Sequence, residues 1–258
     1  MKQLKSILSH APHLVKQIDE HGRIPLHEAI GKGDLEMLRL LLEVGSPVEA
    51  MKRGDWTPLM QACAQMQGEG EEIALLTQFG ADWRRRNREG WTPFQLAIRA
   101  AASTEDEEKA KRTIITIIKL VEHLDPIYWW DSRAFNNGRS CLFTAARSGF
   151  PWLFDLIHAH TGLAIGRLEQ GMGVLANAVA SGSASMVKHL LSLGYPMNDQ
   201  GDWQPIHVAA ASGNLPIVRI LLEAGADLRV RSREGYTAQE IAEKTRQSSE
   251  IITLLKSN

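Results

Sequence analysis

The sequence predicts an all-α fold: a solenoid of short helix pairs that lean on one another. Three observations predict it. An alanine recurs four residues after a fixed slot in seven segments. The slot is Pro25, Pro58, Pro93, Cys141, Val174, Pro205 and Ala238, and the alanines are Ala29, Ala62, Ala97, Ala145, Ala178, Ala209 and Ala242. A small residue at one offset is what close helix packing requires. Downstream of each alanine comes an apolar-x-x-apolar pair, as in Leu38/Leu41, Ile73/Leu76, Val187/Leu190 and Val218/Leu221. Glycine then stops several of these runs, at Gly45, Gly80, Gly194 and Gly225, where a left-handed backbone costs little. Neither helix of a unit is long enough to be stable alone, so neighbours must supply the remaining burial.

Residues 201–230 are the clearest unit. Residues 206–211 form a first helix closed by Ser212-Gly213-Asn214; residues 216–223 form a second, with Val218, Leu221 and Leu222 on one face. Pro216 suits a first turn. Residues 1–19 carry Leu4, Ile7, Leu8, then Leu14, Val15, Ile18, broken at Pro12, and read as two short helices capping the stack. Repeats start near 20, 53, 88, 136, 169, 200 and 233, making 1–258 a single domain. In the first, Gly31-Lys32-Gly33 is a helix–helix turn; in the second, residues 65–72 make a longer polar turn.

The third repeat, 88–137, is enlarged. Its alanine-to-apolar spacing is 20, Ala97 to Ile117, against 9 in the first, Ala29 to Leu38. Thr104-Glu105-Asp106-Glu107-Glu108-Lys109 reads as a helix start with a Thr104 cap and acids in the first turn, so lengthened helices are expected rather than a loose loop. A second insertion holds Tyr128-Trp129-Trp130, for which two uses compete: plugging the joint between repeats three and four, or contacting a partner. In the fifth, Gly171-Met172-Gly173-Val174-Leu175-Ala176 matches G-x-G-x-x-A, but no strand precedes it, and it reads as the repeat's own turn. The last repeat presents Gln239, Glu240, Glu243 and Lys244, which suits a polar C-terminal cap.

Trp56-Thr57-Pro58-Leu59, Gly90-Trp91-Thr92-Pro93-Phe94, Ile24-Pro25-Leu26-His27 and Leu221-Leu222-Glu223-Ala224-Gly225-Ala226-Asp227 make the chain resemble the ankyrin-repeat family from about residue 20 onward. The resemblance implies an all-α ankyrin-repeat solenoid of stacked antiparallel helix pairs with protruding hairpin loops, binding through hairpin tips and first helices. Three features depart from the pattern. Repeats four and five have Ser140-Cys141 and Gly173-Val174 in place of Thr-Pro, Asp55 and Asp202 replace the usual glycine, and the third repeat is too long.

Composition narrows the function. A net charge of −1 offers no global attraction to nucleic acid or an anionic membrane. Cys63 and Cys141 fall in first helices of different repeats and read as small core residues, not a disulfide. His10, His13, His21 and His27 lack a completing Cys or carboxylate cluster, so no metal is expected. There is no G-x-S-x-G, no G-x-x-x-x-G-K, no C-x-x-C and no H-E-x-x-H, so neither an enzyme nor a cofactor is expected. Without a leader or a long apolar run, the expected location is the cytoplasm.

What remains is a binding face. At the base of each hairpin the sequence places Arg23, Trp56, Trp91, Arg139, Met172, Trp203 and Tyr236; Arg99 and Arg147 share that side from the first helices. Arg84, Arg85, Arg86 and Arg88 crowd the loop before Trp91, and like charges in that density repel without acidic counterparts. With Trp129 and Trp130 these are residue types enriched in interface hot spots. The expected partner is therefore a protein with an acidic, partly apolar surface, bound by a monomer in a 1:1 heterodimer. The short stand-alone build also resembles bacterial ankyrin proteins that neutralise a toxin, so an inhibitor or immunity protein is the finer expectation. A nucleic-acid or polyanion binder using arginines interleaved with aromatics, and an adaptor or secreted effector scaffold, are the alternatives. For Trp56, Trp91 and Trp203, packing against the next hairpin competes with binding.

Overall fold

The computed structural model describes residues 10–122, 140–161, 168, 171–198 and 201–256, and the chain divides into two compact units whose boundary falls within residues 128–138. Unit one holds a 3-10 turn, Pro12–Lys16, then α1 (Pro25–Lys32), α2 (Leu35–Glu43), α3 (Pro58–Gln65), α4 (Glu71–Gln78), α5 (Pro93–Ala101) and α6 (Glu107–Val121). Unit two holds α7 (Cys141–Ser148), α8 (Pro151–Thr161), α9 (Val174–Ser181), α10 (Ala184–Ser192), α11 (Pro205–Ser212), α12 (Leu215–Glu223), α13 (Ala238–Lys244) and α14 (Ser249–Leu254). The fold is all-α, and among the described residues there is no strand, only the isolated bridge Lys52–Trp56.

Each first helix begins at its slot residue. Proline fits there because the first N–H has no helical partner to lose. The preceding hydroxyl takes an orphan donor: Thr57 accepts from the Met60 amide at 3.3 Å and Thr92 from Gln95 at 3.3 Å. Ser140 does the same for Phe143 at 3.5 Å, so the fourth repeat keeps its cap without the Thr-Pro pair. In unit one α1, α3 and α5 form one layer and α2, α4 and α6 the other; in unit two α7, α9, α11 and α13 stack likewise over α8, α10 and α12. The alanine column lies between neighbouring first helices: Ala97, Ala145, Ala178, Ala209 and Ala242 are fully buried. Leu59, Phe94, Ile114, Phe143, Phe154 and Val218 fill the space between the layers.

Two ladders of hydrogen bonds join adjacent repeats. On the helix-turn edge, Gln67 donates to the Gly31 carbonyl at 3.1 Å, Ser183 to Gly149 at 2.7 Å, Asn214 to Gly182 at 3.3 Å and Gln247 to Ala211 at 3.0 Å. On the tip edge, the Arg53 amide donates to His21 O at 3.2 Å, Arg88 to Gly54 O at 3.0 Å, Trp203 to Gly171 O at 3.2 Å and Arg233 to Asp202 O at 3.0 Å. Gly213 shows why glycine closes the first helices. Its φ is +69°, and an added Cβ would collide with the Gln247 amide. Asn214 serves two repeats at once, since its Oδ1 also accepts from the Ile217 amide at 3.2 Å. Asn214→Ala is expected to cost roughly 1–2 kcal/mol, read as a lower urea midpoint at unchanged slope.

Three expectations are corrected. The helix expected around Leu14, Val15 and Ile18 is a single 3-10 turn: Val15 is buried, but Ile18 lies beyond the turn and is 72% exposed. Pro12 restricts the backbone of its predecessor, and the turn is tied to the first repeat at Val15, whose carbonyl accepts from Ser46 Oγ at 3.3 Å. The enlarged third repeat does lengthen its second helix, to 15 residues, but the cap is Asp106 rather than Thr104. Asp106 Oδ1 accepts from the Lys109 amide at 2.9 Å, whereas Thr104 Oγ1 accepts from Asp106 one step earlier, at 3.3 Å. The third correction concerns the arginines and follows with the surface they occupy.

Candidate partner-binding surface

The loop 81–91 is anchored from beneath. Trp83 is 4% exposed, and its indole N–H donates to Thr77 Oγ1 at 3.1 Å. The tip closes on Asn87, whose side-chain oxygen accepts from the amides of Glu89 at 3.1 Å and Trp91 at 2.9 Å. Around these two buried points the arginines are exposed or half-buried, and acids meet two of the four. Arg85 pairs with Glu49 at 3.2 Å and Arg88 with Asp55 at 3.6 Å; half-buried Arg86 donates to the Gly90 carbonyl at 3.2 Å. The expected lack of acidic counterparts is thus wrong for Arg85 and Arg88, whose acids come from the preceding repeat, outside the arginine run. Arg84 is exposed, and its guanidinium has no partner among the described residues.

Asp55 also explains a departure from the family pattern. It occupies the glycine slot with φ +63°, a conformation that aspartate tolerates better than most residues. The matching Asp202 pairs with Arg233, one repeat on, at 3.5 Å. In both units an aspartate at one tip meets an arginine at the next.

Half-buried Trp56 stands beside a groove of about 410 Å³ lined by Ala64, Glu89, Leu96, Arg99, Ala100 and Ser103. Lys52 approaches the Trp56 ring at 5.9 Å, and the Arg99 guanidinium lies over half-buried Trp91 at 4.6 Å. The structure therefore brings Trp56, Trp91 and Arg99 together. Arg23 is apart from them, tied to Asp19 at 2.7 Å and Glu28 at 2.9 Å beside a separate cavity of about 450 Å³ that also touches Ile18, Met37 and Leu41. Burial works to raise the Asp19 pKa, but hydrogen bonds from Arg23 and the His21 amide outweigh it and lower it to about 2.

In unit two, Arg147 is half-buried in the last turn of α7 and half-buried Trp203 meets His207 edge-on at 6.4 Å. Tyr236 is 36% exposed under Lys244 at 4.4 Å. Trp91/Arg99 and Tyr236/Lys244 share one register, an aromatic at the tip and a cation eight residues on, at the end of the first helix. Trp129, Trp130 and Arg139 lie outside the described residues, as does Tyr128. Glu89, Ser103, Glu49 and Asp55 were not singled out as site residues by sequence reasoning. The Asp-to-Arg offset of about one repeat is the signal that locates the contact of Asp55 with Arg88, repeated in Asp202 and Arg233.

Two first helices use histidine where others use glutamine or glutamate. The Ile24 amide donates to His27 Nδ1 and the Gln204 amide to His207 Nδ1, both at 3.3 Å, as the Thr92 amide donates to Gln95 Oε1 at 3.2 Å. Burial, with nearby Lys52 adding to it, pushes the His27 pKa down to about 4; burial lowers that of His207, against its bond to the Val230 carbonyl. Between pH 6.5 and about 4 the unfolded chain binds more protons at His27 than the folded chain, so stability falls as pH drops through that window. His27→Gln keeps an acceptor at that position and removes the titration. It is expected to shrink the loss of urea stability between about pH 7 and about pH 5.

The stacked helix pairs, alanine column and tip turns define a helical-repeat protein, a class whose typical role is non-catalytic interaction with other proteins. The family profile described as ankyrin repeats in three copies matches residues 2–71, 26–111 and 174–258, and the chain belongs to the ankyrin-repeat family. The ankyrin repeat domain of human ASB11 matches with a TM-score of 0.70 at 23% identity, over 92% of this chain and 99% of that one. The mouse B-cell lymphoma 3 protein homolog is 26% identical over 238 residues, 90% of this chain and 43% of the relative. Human protein phosphatase 1 regulatory subunit 27 is 34% identical over 79 residues, 31% of this chain and 50% of the relative. The chain spans half or less of the length of these curated relatives. Among the described residues no helix is long and apolar enough to cross a membrane.

Proposed function

We propose that this chain binds and regulates a protein partner, one copy to one, through the groove between Trp56 and Arg99 in unit one. The observation that carries the reading is an open groove with an apolar floor of Leu96, Ala64 and Ala100 against an indole, rimmed by an arginine that no carboxylate neutralises among the described residues. Such a groove suits a partner that inserts an apolar side chain beside Trp56 and offers a carboxylate to Arg99. The arginines already paired at the tips contribute register and encounter rate more than affinity. A regulatory role is supported by relatives named as regulatory subunits, among them a probable 26S proteasome regulatory subunit of yeast at 33% identity over 81 residues. Inhibition of the bound partner is the finer form of the same proposal.

A photo-cross-linking amino acid at Ala100, on the groove, and another at Glu36, on the exposed side of α2, test it in source cells. A discrete adduct from Ala100 alone, lost with Trp56→Ala, is expected. Equal adducts from both positions, or an Ala100 adduct indifferent to Trp56→Ala, would remove the groove from the proposal.

A further inference from the structure

Among the described residues Arg99 is a cation without an anion. Arg85 and Arg88 lie against carboxylates, whereas the Arg99 guanidinium lies over the face of Trp91. One turn beyond it stands Ser103, exposed, on the same groove, its Oγ donating to the Arg99 carbonyl at 3.0 Å. Ser103 sits in the loop that the enlarged third repeat inserts between α5 and α6, where the first repeat has only Gly33 and Asp34 between its helices. It is followed by Thr104, Glu105, Asp106, Glu107 and Glu108, every one exposed. An acidic stretch immediately after an accessible serine is what a kinase with a basic substrate channel selects.

We propose that Ser103 is a phosphorylation site for an acid-directed protein kinase, and that its phosphate takes Arg99 from Trp91 and closes the groove to an acidic partner. In the transfer, Ser103 Oγ attacks the γ-phosphorus of ATP. The Oγ–P bond forms, the bond to the β,γ-bridging oxygen breaks, ADP leaves and the hydroxyl proton passes to the kinase's base. The phosphate then lies at the C-terminal end of α5, where the helix's carbonyl ends disfavour an anion. A cation in that last turn offsets this. Arg99 is there, and its planar fork matches phosphate oxygens two at a time. The switch therefore has two positions for one guanidinium, on the indole or on the phosphate. The closing effect rests on the groove being the partner site; the modification and the capture of Arg99 do not.

The full chain, incubated with casein kinase 2 and ATP, tests it by site-mapping mass spectrometry and by phosphorus NMR. Phosphate on Ser103 is expected in the wild type and in Thr104→Ala, and none at this loop in Ser103→Ala. The phosphoserine titration is expected at lower pH in the wild type than in Arg99→Gln, because a guanidinium favours the dianion. No transfer to the folded chain, transfer to Thr104 alone, or identical titrations would each overturn the proposal. Where the Ala100 cross-link exists, phosphorylation should abolish it. An unchanged cross-link on a phosphorylated chain would sink the closing effect while leaving the groove as partner site.

Discussion

Trp83→Ala is expected to cost about 3–5 kcal/mol, a large part of the stability of a domain. The indole is buried under an arginine-rich loop, and its removal leaves both a cavity and a lost donor to Thr77. Thr77 keeps its own bond to the Ile73 carbonyl at 2.8 Å, so the cavity accounts for most of the loss. Trp83→Phe retains most of the apolar volume and should recover more than half of the stability. Urea unfolding of both variants is the check. A midpoint for Trp83→Ala within error of the wild type would mean that loop 81–91 is not held by this anchor.

The second large effect concerns binding. Trp56→Ala is expected to weaken partner affinity by about 30-fold, corresponding to roughly 2 kcal/mol, the size of a hot-spot truncation. Trp56 is only half-buried, so folding should suffer much less than with Trp83→Ala. Arg88→Ala, which removes an exposed ion pair with Asp55, should change affinity less than about fivefold. Titration of the cross-linked partner, once isolated, separates the three. If Arg88→Ala proved as costly as Trp56→Ala, the tips rather than the groove would carry the affinity.

The contrast among the tryptophans shows how far the sequence reaches. Trp83, Trp56 and Trp91 fall within one short stretch of the repeat pattern and look alike as residue types. Position in the repeat separates Trp56 and Trp91, at the tip base, from Trp83, three residues after the Gly80 stop. It does not say that Trp83 goes inward, because that depends on Thr77 of α4 lying within hydrogen-bond reach. The arginine loop makes the same point with the opposite sign. Repulsion among Arg84, Arg85, Arg86 and Arg88 is a sound inference from neighbours in sequence. It fails at Arg85 and Arg88 because Glu49 and Asp55 belong to the preceding repeat and reach these two in space. Arg99 and Ser103 differ in legibility for a similar reason. The arginine is visible as a first-helix cation, whereas the serine matters only because the inserted loop turns it toward the same groove.

The sequence by itself determined the family, the recurring slot at which the first helices start and the alanine column. These are local or periodic properties: a cap, a proline-compatible first turn and a small residue at a fixed offset repeat whatever the neighbouring units contain. Only the tertiary structure decided which charges are neutralised, which tryptophan is an anchor and where an open groove remains. The ion pairs join side chains about one repeat apart, brought to 3.2 and 3.6 Å by stacking, and the anchor and ring contacts depend on how each tip folds back on its own repeat; the strength of a charge or ring contact is set at that distance, not along the chain.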